Sequence, residues 1–205
     1  MKKIMFNDKY GLTEAVLKGR KTMTRRIANY RGKKEVFYYS WMKGTVVGEG
    51  QNHWIECKDA DEMHFEPEVW IKSHFQVGEI VAIAQSYATI GKPVYGAPYK
   101  NKMFVKPEDM PHHIRITGIK VEELQDISEE DALREGIIRV DETSRVLGCK
   151  PYYTYPGSKF HGETAKAAFI SLIDKLRKKP KKQYRELPCE PYNPIVFVYE
   201  FELVD

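Results

Sequence analysis

The sequence predicts an α+β fold, rich in strands and carrying a few short helices. Residues 112–124 alternate apolar and polar side chains with the period of a strand, and a Gly78-Glu79 turn precedes an apolar run ending at Ala84. Ala165, Phe169, Leu172, Ile173 and Leu176 instead recur at helical spacing and form one amphipathic face.

Taken in chain order, residues 3–6 form a short strand. Tyr10, Leu12, Ala15, Val16 and Leu17 then fall at helical intervals over 11–18, and Gly19 stands where a helix C-cap needs a residue tolerant of positive φ. If 21–26 is extended, alternation sends Lys21, Met23 and Arg25 to one side and Thr22, Thr24 and Arg26 to the other, and a twist would let Lys21 and Thr24 converge. Residues 35–39 and 45–47, parted by Gly44, read as β structure with turns. Gly91, Pro93, Gly96, Pro98, Pro107 and Pro111 punctuate 90–111 too heavily for regular structure, which predicts a loop. In the strand 112–124, Ile114, Ile116, Ile119 and Val121 with Gly118 between them predict a bulge or bend.

Ser128-x-x-Asp131 resembles a capping box and opens a short helix, with acidic groups at the positive end of its dipole. Gly136 closes that helix. Glu135 thus sits in the last turn, where the dipole disfavours an anion by roughly a few tenths of a kcal/mol. Tyr152, Tyr153 and Tyr155, between Pro151 and Pro156, make 148–162 an aromatic loop. The helix 165–176 ends before Pro180, and Pro188, Pro191 and Pro194 lead into a final strand.

A chain of 205 residues fits one domain with a substantial core. No run reaches the ~20 apolar residues of a membrane span, and the N-terminus lacks the apolar region of a secretory signal, so a cytoplasmic protein is expected. Cys57, Cys149 and Cys189 are too few and too scattered for a disulfide framework or a Cys-x-x-Cys metal site. The net charge of +4 does not by itself demand a nucleic-acid partner. Cations nevertheless gather in two places, over the first 34 residues and from Lys175 to Arg185. If the two share a face they would draw in phosphates; otherwise the second is the solvated end of a helix.

The densest cluster is Gly19-Arg20-Lys21-Thr22-Met23-Thr24-Arg25-Arg26, which reads either as a solvated surface or as a site for an anionic or nucleotide ligand. Gly19, Lys21, Thr24 and Arg26 resemble the Gly-x-Lys-x-x-Glu/Thr-x-Arg signature of ASCH (activating signal cointegrator-1 homology) domains. Residues 115–122, the helix start at Ile127-Ser128-Glu129-Glu130-Asp131-Ala132 and the Glu135-Gly136 step are similar to later elements of that family. Asn193-Pro194 followed by 195–201 is similar to its closing strand. The resemblance covers about half of the chain, in order, and suggests one of the longer members from bacterial and prophage genomes. It implies a single PUA-like mixed β-barrel over 1–205 with peripheral helices and long insertions at about 28–75, 87–111 and 138–162. It also implies RNA or modified-nucleotide binding in a cleft lined by Gly19, Arg20, Arg25 and Arg26, with no cofactor.

In small bacterial ASCH amidohydrolases acting on N(4)-acetylcytidine, a Lys and a Thr three apart in the signature work with a Glu on the following helix. The resemblance carries those roles to Lys21, Thr24 and Glu135. A Thr hydroxyl needs a base, and a Lys serves only if desolvation or nearby cations lower its pKa. If Glu135 pairs directly with Lys21, the ammonium is favoured and an orienting role follows; the alternative is an ion pair that merely locks the loop to the helix. Three functions therefore stand open: a binding module, an amidohydrolase or ribonuclease, and a prophage accessory protein that binds a host protein. Adjacent His112 and His113 point oppositely in a strand, and His53, His64, His74 and His161 lack ligand spacing, so no metal site is expected. Tyr38, Tyr39, Trp41, Trp54 and Trp70 offer base-stacking surfaces or core.

Overall fold

The computed structural model describes residues 1–27, 44–47, 54–57, 73–96, 99–141, 151–159, 161–176, 193 and 195–204. The expected strand at 35–39, Tyr38, Tyr39, Trp41, Trp70, His53, His64, Cys149, Cys189 and the cations from Arg177 to Arg185 lie outside them, as do the side chains of Trp54 and Cys57.

In chain order the strands are β1 (Lys2–Ile4), β2 (Met23–Ile27), β3 (Gly44–Val47), β4 (Trp54–Cys57), β5 (Ile80–Ile83), β6 (His113–Glu123), β7 (Ile138–Val140), β8 (Tyr152–Thr154), β9 (His161–Gly162) and β10 (Ile195–Leu203). The helices are α1 (Leu12–Leu17), α2 (Glu129–Arg134) and α3 (Ala165–Leu176). A mixed five-stranded sheet runs β1-β5-β6-β10-β2, in which β1 and β5 are parallel and the other neighbours antiparallel. β7-β8-β9 make a smaller sheet and β3-β4 a two-stranded pair. The fold is thus α+β as expected. The expected barrel is not closed by the described strands, since β1 and β2 end the large sheet as separate edges.

β10 divides the core by simple alternation. Phe197, Tyr199 and Phe201 join Ile4, Phe6, Val16, Phe75, Val81, Ile83, Ile114 and Ile116 on one face. Val196 and Val198 join Met23, Ala132, Ile137, Tyr155, Phe169 and Leu172 on the other. α2 and α3 therefore cover the second face, while Val16, Leu12 and Leu17 of α1 pack on the first. The bulge foreseen at Gly118 is present: the register shifts between Glu200, opposite Gly118, and Phe201, opposite Ile116. This extra residue lets Ile119 and Val121 face the same cluster as Ile114 and Ile116 despite their odd spacing.

Two expectations need correction. The segment 148–162 is not all loop, because Tyr152–Thr154 pairs with both β7 and β9. Its aromatic and β-branched residues suit a strand, and Pro151 and Pro156 bracket it instead of breaking it. The loop 90–111 contains two short 3-10 turns, Lys102–Phe104 and Pro107–Asp109, the first capped by Asn101. Among the described residues no helix is long and apolar enough to cross a membrane.

Candidate functional site

The signature segment is built by the end of α1 and the start of β2. Gly19 adopts φ 70°, and the carbonyl of Ala15 accepts from both Arg20 N (2.9 Å) and Lys21 N (3.0 Å), turning the chain sharply out of the helix. Thr22 N then donates to Arg134 O (3.0 Å), and Thr22 O accepts from Phe201 N (2.9 Å), which docks the segment between the end of α2 and β10. Ser128 Oγ accepts from Asp131 N at 3.1 Å, the N-cap that the sequence announces.

This docking brings Lys21 and Glu135 together across 114 residues. Lys21 Nζ lies 2.5 Å from Glu135 Oε2 and donates to Met23 O (2.7 Å) and Glu135 O (2.8 Å), so all three ammonium donors have acceptors. The residues are only 2% and 4% exposed. Burial pulls the Lys21 pKa below the ordinary lysine value, Glu135 opposes that shift, and Arg26 and Arg25 add to it.

Glu135 also receives Arg25, whose Nη1 lies 3.3 Å from Oε1. Arg25 Nε donates to Glu122 Oε1 (2.7 Å) on the far side of β10, and its Nη2 reaches Asp131 Oδ2 (3.0 Å). Its Cζ lies 5.9 Å from the centre of the Phe169 ring. Burial would lower the Arg25 pKa, but Glu135, Glu122 and Asp131 together raise it. Lys120 joins Asp131 (3.1 Å) and Glu122 (3.5 Å), and Arg134 joins Asp131 and Glu200, each at 3.5 Å. Lys21, Arg25, Lys120 and Arg134 thus meet Glu122, Asp131, Glu135 and Glu200 in a charge-balanced network. The two cations hold the anion that the helix dipole disfavours at the end of α2.

Thr24 is buried at the Tyr199 position of the β10 register, on the strand face opposite Met23 and Arg25. Among the described residues no hydrogen bond joins it to Lys21 or Glu135. Gly19, Arg20 and Arg26 are exposed, and Arg26 Nη2 donates to Met5 O (2.6 Å). The N-terminal cations therefore do not form one free basic surface: Lys2 is held by Glu79, Lys3 by the carbonyls of Met103 and Val105, and Lys18 by Glu14.

Sequence reasoning placed neither Glu122 nor Asp131 in the site, although it named Asp131 in the capping box. A signal existed for the second, since Asp131 and Glu135 are four apart and so share one face of a short helix. Glu122 depends on register across three strands, which no local pattern encodes. Among the described residues no group of three or more His, Cys, Asp or Glu is placed to hold a metal ion. The chain matches no protein-family profile, no curated protein and no solved structure.

Gly136 fixes the end of this site, with φ 100°. A Cβ there would also meet Leu12 Cδ2 at 3.4 Å and the Cβ atoms of Ala15 and Lys21 at 3.5 Å, ordinary contacts that add no clash. The expected cost of Gly136→Ala is therefore the backbone strain alone, about 1–3 kcal/mol. Thermal melting measures it, and an unchanged melting temperature would show that the turn relaxes without strain.

Proposed function

We propose that this protein is a binding module for RNA or a nucleotide, with Lys21 and Glu135 fixing the signature segment and Arg20 and Arg26 meeting phosphate. One observation carries the reading. The Lys21–Glu135 pair is closed, with every ammonium donor engaged inside the protein, while Arg20 stands at the surface and Arg26, though exposed along its length, has its guanidinium partly desolvated against Met5 O and the Phe6 ring. A closed pair suits an anchor, and flanking exposed cations suit a polyanion. Arg25 has no part in ligand contact here, because three carboxylates occupy it. The ASCH resemblance, and the PUA-like architecture it implies, support the same reading through the residues quoted for them.

A second reading, metal-free amide hydrolysis with Thr24 as nucleophile, rests on the ASCH resemblance; it would need a base for Thr24, and among the described residues no hydrogen bond joins Thr24 to Lys21. The two readings separate in one set of measurements. Binding of a short single-stranded RNA is expected to weaken on Arg20→Ala plus Arg26→Ala, with the slope of log affinity against log salt falling by roughly 1.4, about 0.7 per contact. Unchanged affinity and slope would leave these arginines as solvated surface. Release of cytidine from N(4)-acetylcytidine by the wild-type protein, lost in Thr24→Val, would favour the hydrolase instead.

A further inference from the structure

We propose that residues 99–106, packed against the N-terminal strand, form a stacking platform for single-stranded nucleic acid that continues from Arg26. The inference rests on the binding reading above and names its occupant as a strand whose bases are free to stack. Tyr99, Met103 and Phe104 are exposed at 41%, 56% and 55%. Three large apolar side chains are thus left at the surface within a six-residue stretch.

The backbone beneath them is well fixed. Asn101 Oδ1 accepts from Met103 N (3.0 Å) to cap the Lys102–Phe104 turn, and Lys3 Nζ donates to Met103 O (2.7 Å) and Val105 O (2.6 Å). Val105 is buried with Tyr87 and Met110, and Tyr87 Oη accepts from Lys106 N at 3.1 Å. Anchors on both sides of the turn fix the backbone that carries Met103 and Phe104, which lowers the ordering cost of binding.

Charge decides the kind of partner. Residues 99–106 contain Lys100, Lys102 and Lys106 and no acid, and Lys100 and Lys106 are exposed. Of the acids that follow, Glu108 pairs with the N-terminal ammonium (3.5 Å), and Asp109 pairs with Lys92 (2.5 Å) while also feeling the charge of Lys106. Lys102 Nζ donates to Phe6 O and pairs with Asp8 (2.8 Å), while Arg26 donates to Met5 O. The consecutive carbonyls of Met5 and Phe6 thus tie the end of the signature to the aromatic turn. Aromatic groups interleaved with cations suit a single strand, whose bases stack while its phosphates take the lysines. A duplex keeps its bases inside the stack and offers the rings nothing.

The test is fluorescence anisotropy with fluorescein-labelled oligoadenylate of about 12 nucleotides, alone and annealed to oligouridylate. Tyr99→Ala and Phe104→Ala are each expected to weaken single-strand affinity about tenfold at fixed salt, and Lys100→Gln plus Lys106→Gln to reduce the salt slope by roughly 1.4. These positions are exposed, so circular dichroism melts should match the wild type. Undiminished affinity in Tyr99→Ala plus Phe104→Ala, or equal affinity for the duplex, overturns the platform. If affinity then depends on Arg20 and Arg26 alone, nucleotide binding at the signature stands without it; if it depends on the loop alone, the platform stands and the signature reading falls. No affinity for either probe overturns both. Self-association lost in Phe104→Ala with RNA affinity unchanged assigns the patch to protein docking and overturns the platform as well.

Discussion

Glu135→Ala is expected to destabilise the fold by about 3–5 kcal/mol, measured by urea unfolding near neutral pH. The substitution leaves the Lys21 ammonium in a site only 2% exposed, with two carbonyl acceptors and no counter-charge. An uncompensated buried charge is among the few changes that cost a domain this much, whereas removing both charges is far milder. The double variant Lys21→Met plus Glu135→Leu is therefore expected to recover most of the loss, with the stems packing against Phe6, whose ring centre lies 5.8 Å from Lys21 Nζ. A loss below about 1 kcal/mol in Glu135→Ala would mean that water enters the pair. RNA affinity retained in the double variant is the outcome an anchoring role predicts, because the exposed arginines are untouched.

How much of this was legible depended on whether the information was local. The left-handed turn at Gly19, the Ser128 cap, the Glu135-Gly136 step and the bulge at Gly118 each follow from a residue's own chemistry, and each is where the sequence places it. The meeting of Lys21 with Glu135 was legible only through the family resemblance, since nothing in either segment states which distant segment it docks on. Arg25 shows the limit. As one of four cations in eight residues it read either as solvated surface or as part of a ligand site, yet its strand position faces α2, and three carboxylates from two elements make its burial tolerable. The strand at Tyr152–Thr154 was hidden for a related reason. Prolines on both sides signal a loop locally, while pairing to β7 and β9 supplies the ladder that makes it a strand.

Arg25→Met should cost about 3 kcal/mol near neutral pH, the lower part of the range for a broken buried pair. Each carboxylate it leaves behind still has a cation: Glu135 keeps Lys21, Glu122 keeps Lys120, and Asp131 keeps Lys120 and Arg134. The loss should also depend on pH, with a sign that can be worked out. Burial pushes the Asp131 carboxyl up, but hydrogen bonds from Lys120 and Arg25 and the charges of both outweigh it, so its pKa lies below the ordinary aspartate value of about 3.9. A depressed carboxylate pKa contributes stability above the unfolded value and loses it as pH falls through the folded one. Arg25→Met removes one of the cations that hold the Asp131 pKa down, so the variant has less of that contribution to lose. The stability gap between wild type and variant is thus expected to narrow as pH is lowered from about 7 toward about 3. A gap that stays constant over that range would show that Arg25 acts through its contact with the Phe169 ring and not through the carboxylates around it.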